Sequence, residues 1–216
     1  MRDAFDGPLF RDRSDAGRLL AGWLEDERHP DTIVVGLARG GVPVAAEVAR
    51  ALQAPLDAVA VCKVQHPSQP EYAIGAVTPL GGIFLRGRNG LSDDQIASAV
   101  AGAQRRAEEL DSRLHTDRPP SDLRGRRVLV IDDGLATGAT MIAAVRWAQD
   151  RGAARVVAAA PVGSTQGVDV LRREADRTVC PHTLTRFDAV GTWYRDFGQV
   201  DDEEVLRLVA GLRTSR

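Results

Sequence analysis

Lysine is almost missing from this 216-residue chain: of 28 basic side chains only Lys63 is not an arginine, and Asn89 is the only asparagine. With abundant alanine and glycine, the bias points to a GC-rich coding sequence. Arginine's rigid fork and lysine's mobile point charge do different work. A lone lysine is therefore either a chance survivor or a residue with a task. Cysteine is scarce too. Cys62 and Cys180 make neither a disulfide framework nor a zinc site. No apolar run approaches the ~18–20 residues that a membrane span needs. The start, MRDAFD, carries acids where a signal peptide needs an apolar stretch. A net charge of −2 excludes a general nucleic-acid binder and a basic membrane-surface protein. The expectation is a cytoplasmic protein whose partners are small molecules, with no nucleic acid and no membrane among them.

Apolar residues make up 44% and charged residues 27%, enough for a substantial core. One domain over 1–216 is the simplest reading, with a core at about 14–180 and a small cap at about 181–216. Apolar periodicity alternates strand and helix. A helix is expected over 14–27, capped by Ser14, with Leu19, Leu20, Trp23 and Leu24 as its stripe. A strand over 32–37 leads through a tight turn into a helix opened by Val42 and Pro43. A second strand over 56–64 is followed by a polar loop, then by an extended glycine-interrupted stretch over 73–85. Ser92 and Gln95 form a capping box for a helix to about Leu114, stopped by Arg118-Pro119-Pro120. The clearest strand is 127–131, followed by a helix over 140–149. Strands over 156–162 and 178–180 flank a helix over 168–174, and 202–212 is an amphipathic helix. The fold class is α/β, a mainly parallel twisted sheet flanked by helices. Ligands in such sheets sit beyond the carboxyl ends of the strands.

One stretch carries chemistry: VLVIDDGLATGATM, residues 128–141. A buried strand ends in Asp132 and Asp133. A turn of Gly134, Leu135, Ala136, Thr137, Gly138, Ala139 and Thr140 then opens a helix. First-turn amides lack intrahelical partners and face the positive end of the helix dipole. Glycines admit a phosphate closely, and the threonines add hydroxyl donors. Two acids beside such a cradle would repel a lone anion, but they can accept hydrogen bonds from a vicinal diol. A phosphorylated ribose satisfies both halves. The stretch is neither a Walker A loop nor a dinucleotide fingerprint.

The segment resembles the phosphoribosyl pyrophosphate (PRPP) motif of type I phosphoribosyltransferases: apolar strand, two acids, then a loop ending Thr-Gly-x-Thr. Ala38, Arg39, Gly40 and Gly41, after the first strand, resemble the family's pyrophosphate loop. Lys63, before the polar loop, falls where family members place basic residues against pyrophosphate. The resemblance implies transfer of 5-phosphoribosyl from PRPP to an acceptor, with Mg2+ as cofactor. Asp132 and Asp133 would hold the ribose hydroxyls and, through water, the metal. Residues 134–140 would hold the 5′-phosphate, while Arg39 and Lys63 would stabilise the leaving group. A narrower similarity, around 70–77 and 189–197, is to stand-alone bacterial phosphoribosyltransferases of unassigned acceptor. A PRPP- or nucleotide-binding regulator without catalysis is the alternative, and a homodimer is compatible with either.

Four of the ten aromatics, Phe187, Trp193, Tyr194 and Phe197, fall in the C-terminal segment. Aromatic faces stack on flat heterocycles, so these rings are expected either to cap a planar acceptor or to form the cap's own core. In the first case PRPP and acceptor would be controlled by separate residues. Family members acting on 6-oxopurines carry an acid where this chain has Ala136, and no acid or histidine is placed as a general base. His29, His66, His115 and His182 show no ligand spacing, and Cys180 has no base nearby in sequence.

Overall fold

The computed structural model describes residues 7–116 and 119–212; the first six residues, the Arg118 helix stop and the last four residues of the cap lie outside them. The elements run α1 (Arg13–Gly22), β1 (Thr32–Ala38), α2 (Gly41–Leu52), β2 (Leu56–Ala60), β3 (Cys62–His66), β4 (Gln69–Thr78), β5 (Gly81–Leu85), α3 (Asp93–Leu114) and β6 (Arg127–Ile131). Then follow α4 (Ala139–Asp150), β7 (Arg155–Ala159), β8 (Val162–Ser164), α5 (Thr165–Leu171), β9 (Arg177–Val179), β10 (His182–Leu184) and α6 (Asp202–Leu212). Among the described residues no helix is long and apolar enough to cross a membrane.

A five-stranded parallel sheet, in the order β2-β1-β6-β7-β9, forms the centre. Its strands are continuous apolar runs because both faces are covered. On one face Val34, Leu129 and Ile131 meet α2, Leu20 and Leu24 of α1, and Val205 and Val209 of α6. On the other, Val35, Val128 and Val130 meet Met141, Ile142, Val145 and Trp147 of α4. The chain leaves β1 for β2 on one side and β6 for β7 on the other. The crevice between the ends of β1 and β6 is thus the switch point of the sheet, where ligands bind.

Several boundaries differ from the sequence reading for identifiable reasons. Asp12, not Ser14, caps α1, accepting from the Asp15 amide at 2.7 Å. Leu20 and Leu24 are buried, whereas Leu19 and Trp23 are 54% and 62% exposed, so the stripe is narrower than its spacing suggested. The expected strand over 56–64 breaks at Val61. Its second half, β3, leaves the main sheet and pairs antiparallel with β4, which pairs with β5. The polar segment after Lys63 is therefore the turn of a hairpin, with Pro67 and Ser68 at its tip. The capping box at Ser92 and Gln95 is present and starts α3. The strand expected over 156–162 also breaks, giving β7 and the short β8, which pairs with β10 in a separate two-stranded sheet. The helix expected over 168–174 runs earlier, as Thr165–Leu171, started by the Ser164 hydroxyl.

Candidate active site

The end of β1 and the end of β6 lie side by side, with Gly36 in register with Ile131. Two residues on, Ala38 adjoins the pair Asp132 and Asp133. A cleft of about 340 Å3 opens here, lined by Leu37, Ala38, Gly40, Asp132, Asp133 and Thr140, with Arg13, Val61, Val190 and Phe197 around it. The loop after β1 lies so close to the acids that positions 40 and 41 tolerate no side chain. A Cβ on Gly40 would collide with the Asp133 carboxylate, and one on Gly41 would sit 2.5 Å from the Ile131 carbonyl oxygen. Glycine at both positions is a requirement of this approach. The Ala38–Arg39 peptide is cis.

The two acids differ in their surroundings. Asp132 accepts from the Asp133 amide at 2.9 Å and faces the Thr140 hydroxyl at 3.5 Å. Asp133 receives the Arg13 guanidinium at 2.8 Å. Burial, and for Asp132 also the neighbouring Asp133 charge, pushes both carboxyls above the usual range, while Arg13 pulls Asp133 back down. The pair therefore sits ready for a partner that supplies protons or positive charge, such as a diol or a cation. The set of donors fits Mg2+ only if the ligand completes the sphere: two carboxylates are too few for an octahedral oxygen shell. Among the described residues no cluster of three or more His, Cys, Asp or Glu could hold a metal alone.

Beyond the acids, Leu135 is pinned between Val162 and Ser164 by backbone hydrogen bonds. The Ser164 hydroxyl donates to the Ala136 carbonyl. This fixes the exposed Ala136 and Thr137 as a turn. Gly138 follows in the left-handed region, at φ 75°, as the N-cap of α4 without a side-chain capping bond. The Ala139 amide meets the Thr137 hydroxyl at 3.5 Å, a long contact that still leaves the helix N-terminus open to an anion.

The sequence-predicted residues divide clearly. Ala38, Gly40, Asp132, Asp133 and Thr140 line one crevice, with Gly41 packed beside Asp132, whereas Gly134 and Leu135 are buried, Ala136 and Thr137 are exposed, and none of these four lines it. Arg39 is half-buried, but its guanidinium is bound to Asp202 at the start of α6, at 2.5 Å, and Arg113 of α3 joins the same carboxylate at 3.2 Å. Lys63 is exposed and does not line the cleft. It stands opposite Ala76 in the hairpin, on the face that packs over Ala139 and Ala143 of α4.

Of the four rings, only Phe197 lines the cleft. Tyr194 is 4% exposed and is packed on Phe10, and its hydroxyl donates to the Asp133 carbonyl at 2.6 Å. Burial raises its phenol beyond the ordinary range. Phe187 and Trp193 stack on each other at 6.2 Å and join the same cluster. Val190 presses directly on Gly134, where a Cβ would lie 2.6 Å from its methyl group.

Two contributors were not visible in the sequence. Residues 9–11 pair with the aromatic segment: the Leu9 and Phe10 amides donate to the Trp193 carbonyl, and the Arg195 amide donates to that of Phe10. The cap is thus built from both ends of the described chain, while α6, assigned to the cap by its position, packs into the main core. Arg13, the first residue of α1, is the other. Nothing in its local sequence distinguishes it from the other arginines, and only the fold brings it to an acid 120 positions away.

The phosphoribosyl transferase domain model matches residues 12–192. The chain belongs to this family. A provisionally named phosphoribosyl transferase of Mycobacterium tuberculosis is 44% identical over 209 residues, 93% of this chain and 46% of that protein. The chain thus spans about half the length of the curated relative it matches. The crystal structure of TT1426 from Thermus thermophilus shares 39% identity and a TM-score of 0.81, covering 95% of this chain and 99% of the other. A uracil phosphoribosyltransferase of Streptomyces griseus is 42% identical over 73 residues, 34% of this chain and 35% of its own length.

Proposed function

We propose that the chain transfers a 5-phosphoribosyl group from PRPP to a small, planar nitrogen acceptor, releasing pyrophosphate. The observation that carries this reading is the convergence, at one switch point, of two adjacent carboxylates, a glycine loop packed against them and the open N-terminus of α4. In this reading Asp132 and Asp133 orient the ribose hydroxyls, and the turn 134–140 holds the 5′-phosphate, contributing chiefly position. The loop 38–41 receives the pyrophosphate through its amides. Arg39 offsets the charge that grows on the leaving group once it exchanges Asp202 for the pyrophosphate, whereas Lys63, outside the cleft, is given no contact with it. Asp132 and Asp133 would hold Mg2+ together with the substrate, and the ion would supply further neutralisation of that charge. Phe197 closes the acceptor side.

The test is pyrophosphate release from PRPP and Mg2+ with a panel of nucleobases, uracil included, and other small amines, with PRPP binding measured in parallel. Turnover with a panel member supports the reading. PRPP binding with no turnover would leave a binding protein, and no PRPP binding removes the reading altogether.

The Arg39–Asp202 pair gives a further expectation. A pyrophosphate must compete with the Asp202 carboxylate for this guanidinium. Asp202→Asn should therefore tighten inorganic pyrophosphate binding by ~2–5-fold, as expected for a partly exposed ion pair worth up to about 1 kcal/mol. Titration calorimetry reads this directly, and unchanged or weaker binding would place Arg39 outside the pyrophosphate subsite.

A further inference from the structure

The Arg13 guanidinium makes three separate contacts. Its Nε donates to Asp133 Oδ2 at 2.8 Å, its Nη1 donates to the Gly198 carbonyl at 2.7 Å, and its Cζ lies 3.8 Å from the centre of the Phe197 ring. Arg13 and Asp133 side chains are each only 12% exposed. A planar group gripped on one edge, on a second nitrogen and on one face has little rotational freedom left. The carboxylate it holds is likewise fixed. The ring and the carbonyl that fix it belong to the segment over the acceptor side.

We infer that Arg13 is a positioning residue for the ribose: it fixes the Asp133 carboxylate for the diol and ties that carboxylate to Phe197 and Gly198. This rests on the functional reading above and adds a residue to it. Two consequences follow from the geometry. First, the guanidinium offsets one of two adjacent negative charges beside a site for a highly anionic substrate, so the acids can face PRPP without repelling it. Second, the acceptor-side segment and the ribose acids are not independent. Anything that moves Phe197 acts on Asp133 through Arg13, in addition to the direct bond from the Tyr194 hydroxyl to the Asp133 carbonyl.

The test compares two ligands in the full chain by calorimetry: PRPP with Mg2+, which presents a diol, and inorganic pyrophosphate without metal, which calls on neither the diol nor the metal role of the acids. Arg13→Gln should weaken PRPP by roughly 10–100-fold, the usual loss when the partner of a site ligand is removed. Pyrophosphate binding should stay within twofold of the unaltered protein, where twofold is about 0.4 kcal/mol. Arg13→Lys, which keeps a charge but loses the fork and the flat face, should fall between. Phe197→Leu removes the stacking face on Arg13 while keeping an apolar side chain beside Tyr194 and Gly191, and should weaken PRPP about threefold, which keeps the test available if Arg13→Gln does not fold. PRPP affinity unchanged in both Arg13→Gln and Phe197→Leu overturns the inference. So does an equal loss of both ligands, which marks a merely structural role. Failure of the unaltered protein to bind PRPP removes the functional reading itself, and the inference with it.

Discussion

Asp132→Asn and Asp133→Asn should each weaken Mg2+-dependent PRPP binding by roughly ten- to hundredfold, yet move the stability of the unliganded protein in opposite directions. A carboxylate that accepts from a sugar hydroxyl makes a charge-assisted hydrogen bond. Losing one costs about 1.5–3 kcal/mol, roughly a ten- to hundredfold loss of affinity for each acid. Stability follows a different rule. Among the described residues Asp132 has no ion pair, and it sits beside a second acid. An asparagine there keeps an acceptor for the Asp133 amide at 2.9 Å while replacing a carboxyl that burial and the neighbouring acid push well above the usual range. The variant should melt a few degrees higher. Asp133 is different, because its oxygen holds the Arg13 guanidinium at 2.8 Å in a nearly closed setting. Asp133→Asn leaves that cation without its counter-charge and should cost about 2 kcal/mol, a fall of several degrees. Thermal melts beside calorimetric titrations with PRPP separate these effects. Two variants that melt alike would deny the asymmetry between the acids. Wild-type PRPP affinity in either one would remove that acid from the site.

The same pair shows what could and could not be read from the sequence. Residues 127–140 announce themselves, because the strand, acids, glycines and threonines are contiguous and their spacing is set by local geometry. Gly40 and Gly41 were visible as a turn, but the reason for them was not: they clear space for Asp133 and Ile131, 93 and 90 positions away. The break at Val61 was illegible, since apolar residues continue through it, whereas the break after Ala159 carried a signal that the strand reading passed over, Pro161, which cannot donate to a ladder. What ends the strand at Val61 is the position of its neighbours. β3 departs because Val64 and Ile74 find a core against α3 rather than on the main sheet. The four aromatics looked equivalent in order along the chain, yet Phe197 alone reaches the cleft, while Tyr194 hangs the cap on the acid loop. Separate control of PRPP and acceptor, expected from the sequence, meets a structure in which Arg13 and Tyr194 join the two sides. Pairings between residues so far apart in the chain carry no local signal. His115, unremarkable in sequence, is another case. Burial works against its charge, but Asp111 and Asp57 outweigh it and raise the imidazole to about 9.

Glu27→Gln should destabilise the fold more than either substitution at the paired acids, and it should leave ligand binding alone. Glu27 closes a 3-10 turn after α1 and is 2% exposed. Its carboxylate receives Arg127 at 2.8 Å, Arg155 at 3.2 Å and Arg177 at 2.8 Å. These arginines are the first residues of β6, β7 and β9, so one acid gathers three adjacent strands at the end of the sheet opposite the cleft. Burial alone would push the carboxyl up, but the three guanidiniums hold it at about 2, against an ordinary 4.5. A neutral amide would take the counter-charge from Arg127 and Arg155 and leave Arg177 only Asp26, at 2.7 Å. The expected cost is about 3–5 kcal/mol, or a melting temperature lower by on the order of 10 °C for a chain of this size. The sign of the pH dependence follows from linkage. A carboxyl with a depressed folded pKa contributes fully above its unfolded value, and that contribution drains away as pH falls towards the folded one. The melting gap between the unaltered protein and Glu27→Gln should therefore be widest above pH 4.5 and narrow as pH falls towards 2. PRPP affinity at neutral pH, measured below the variant's melting point, should be unchanged, since the cluster and the cleft occupy opposite ends of the strands. A gap that stays constant from neutral pH down to about pH 3 would assign the loss to packing rather than charge. No gap at all would mean that the arginines are satisfied by solvent and that Glu27 holds nothing together.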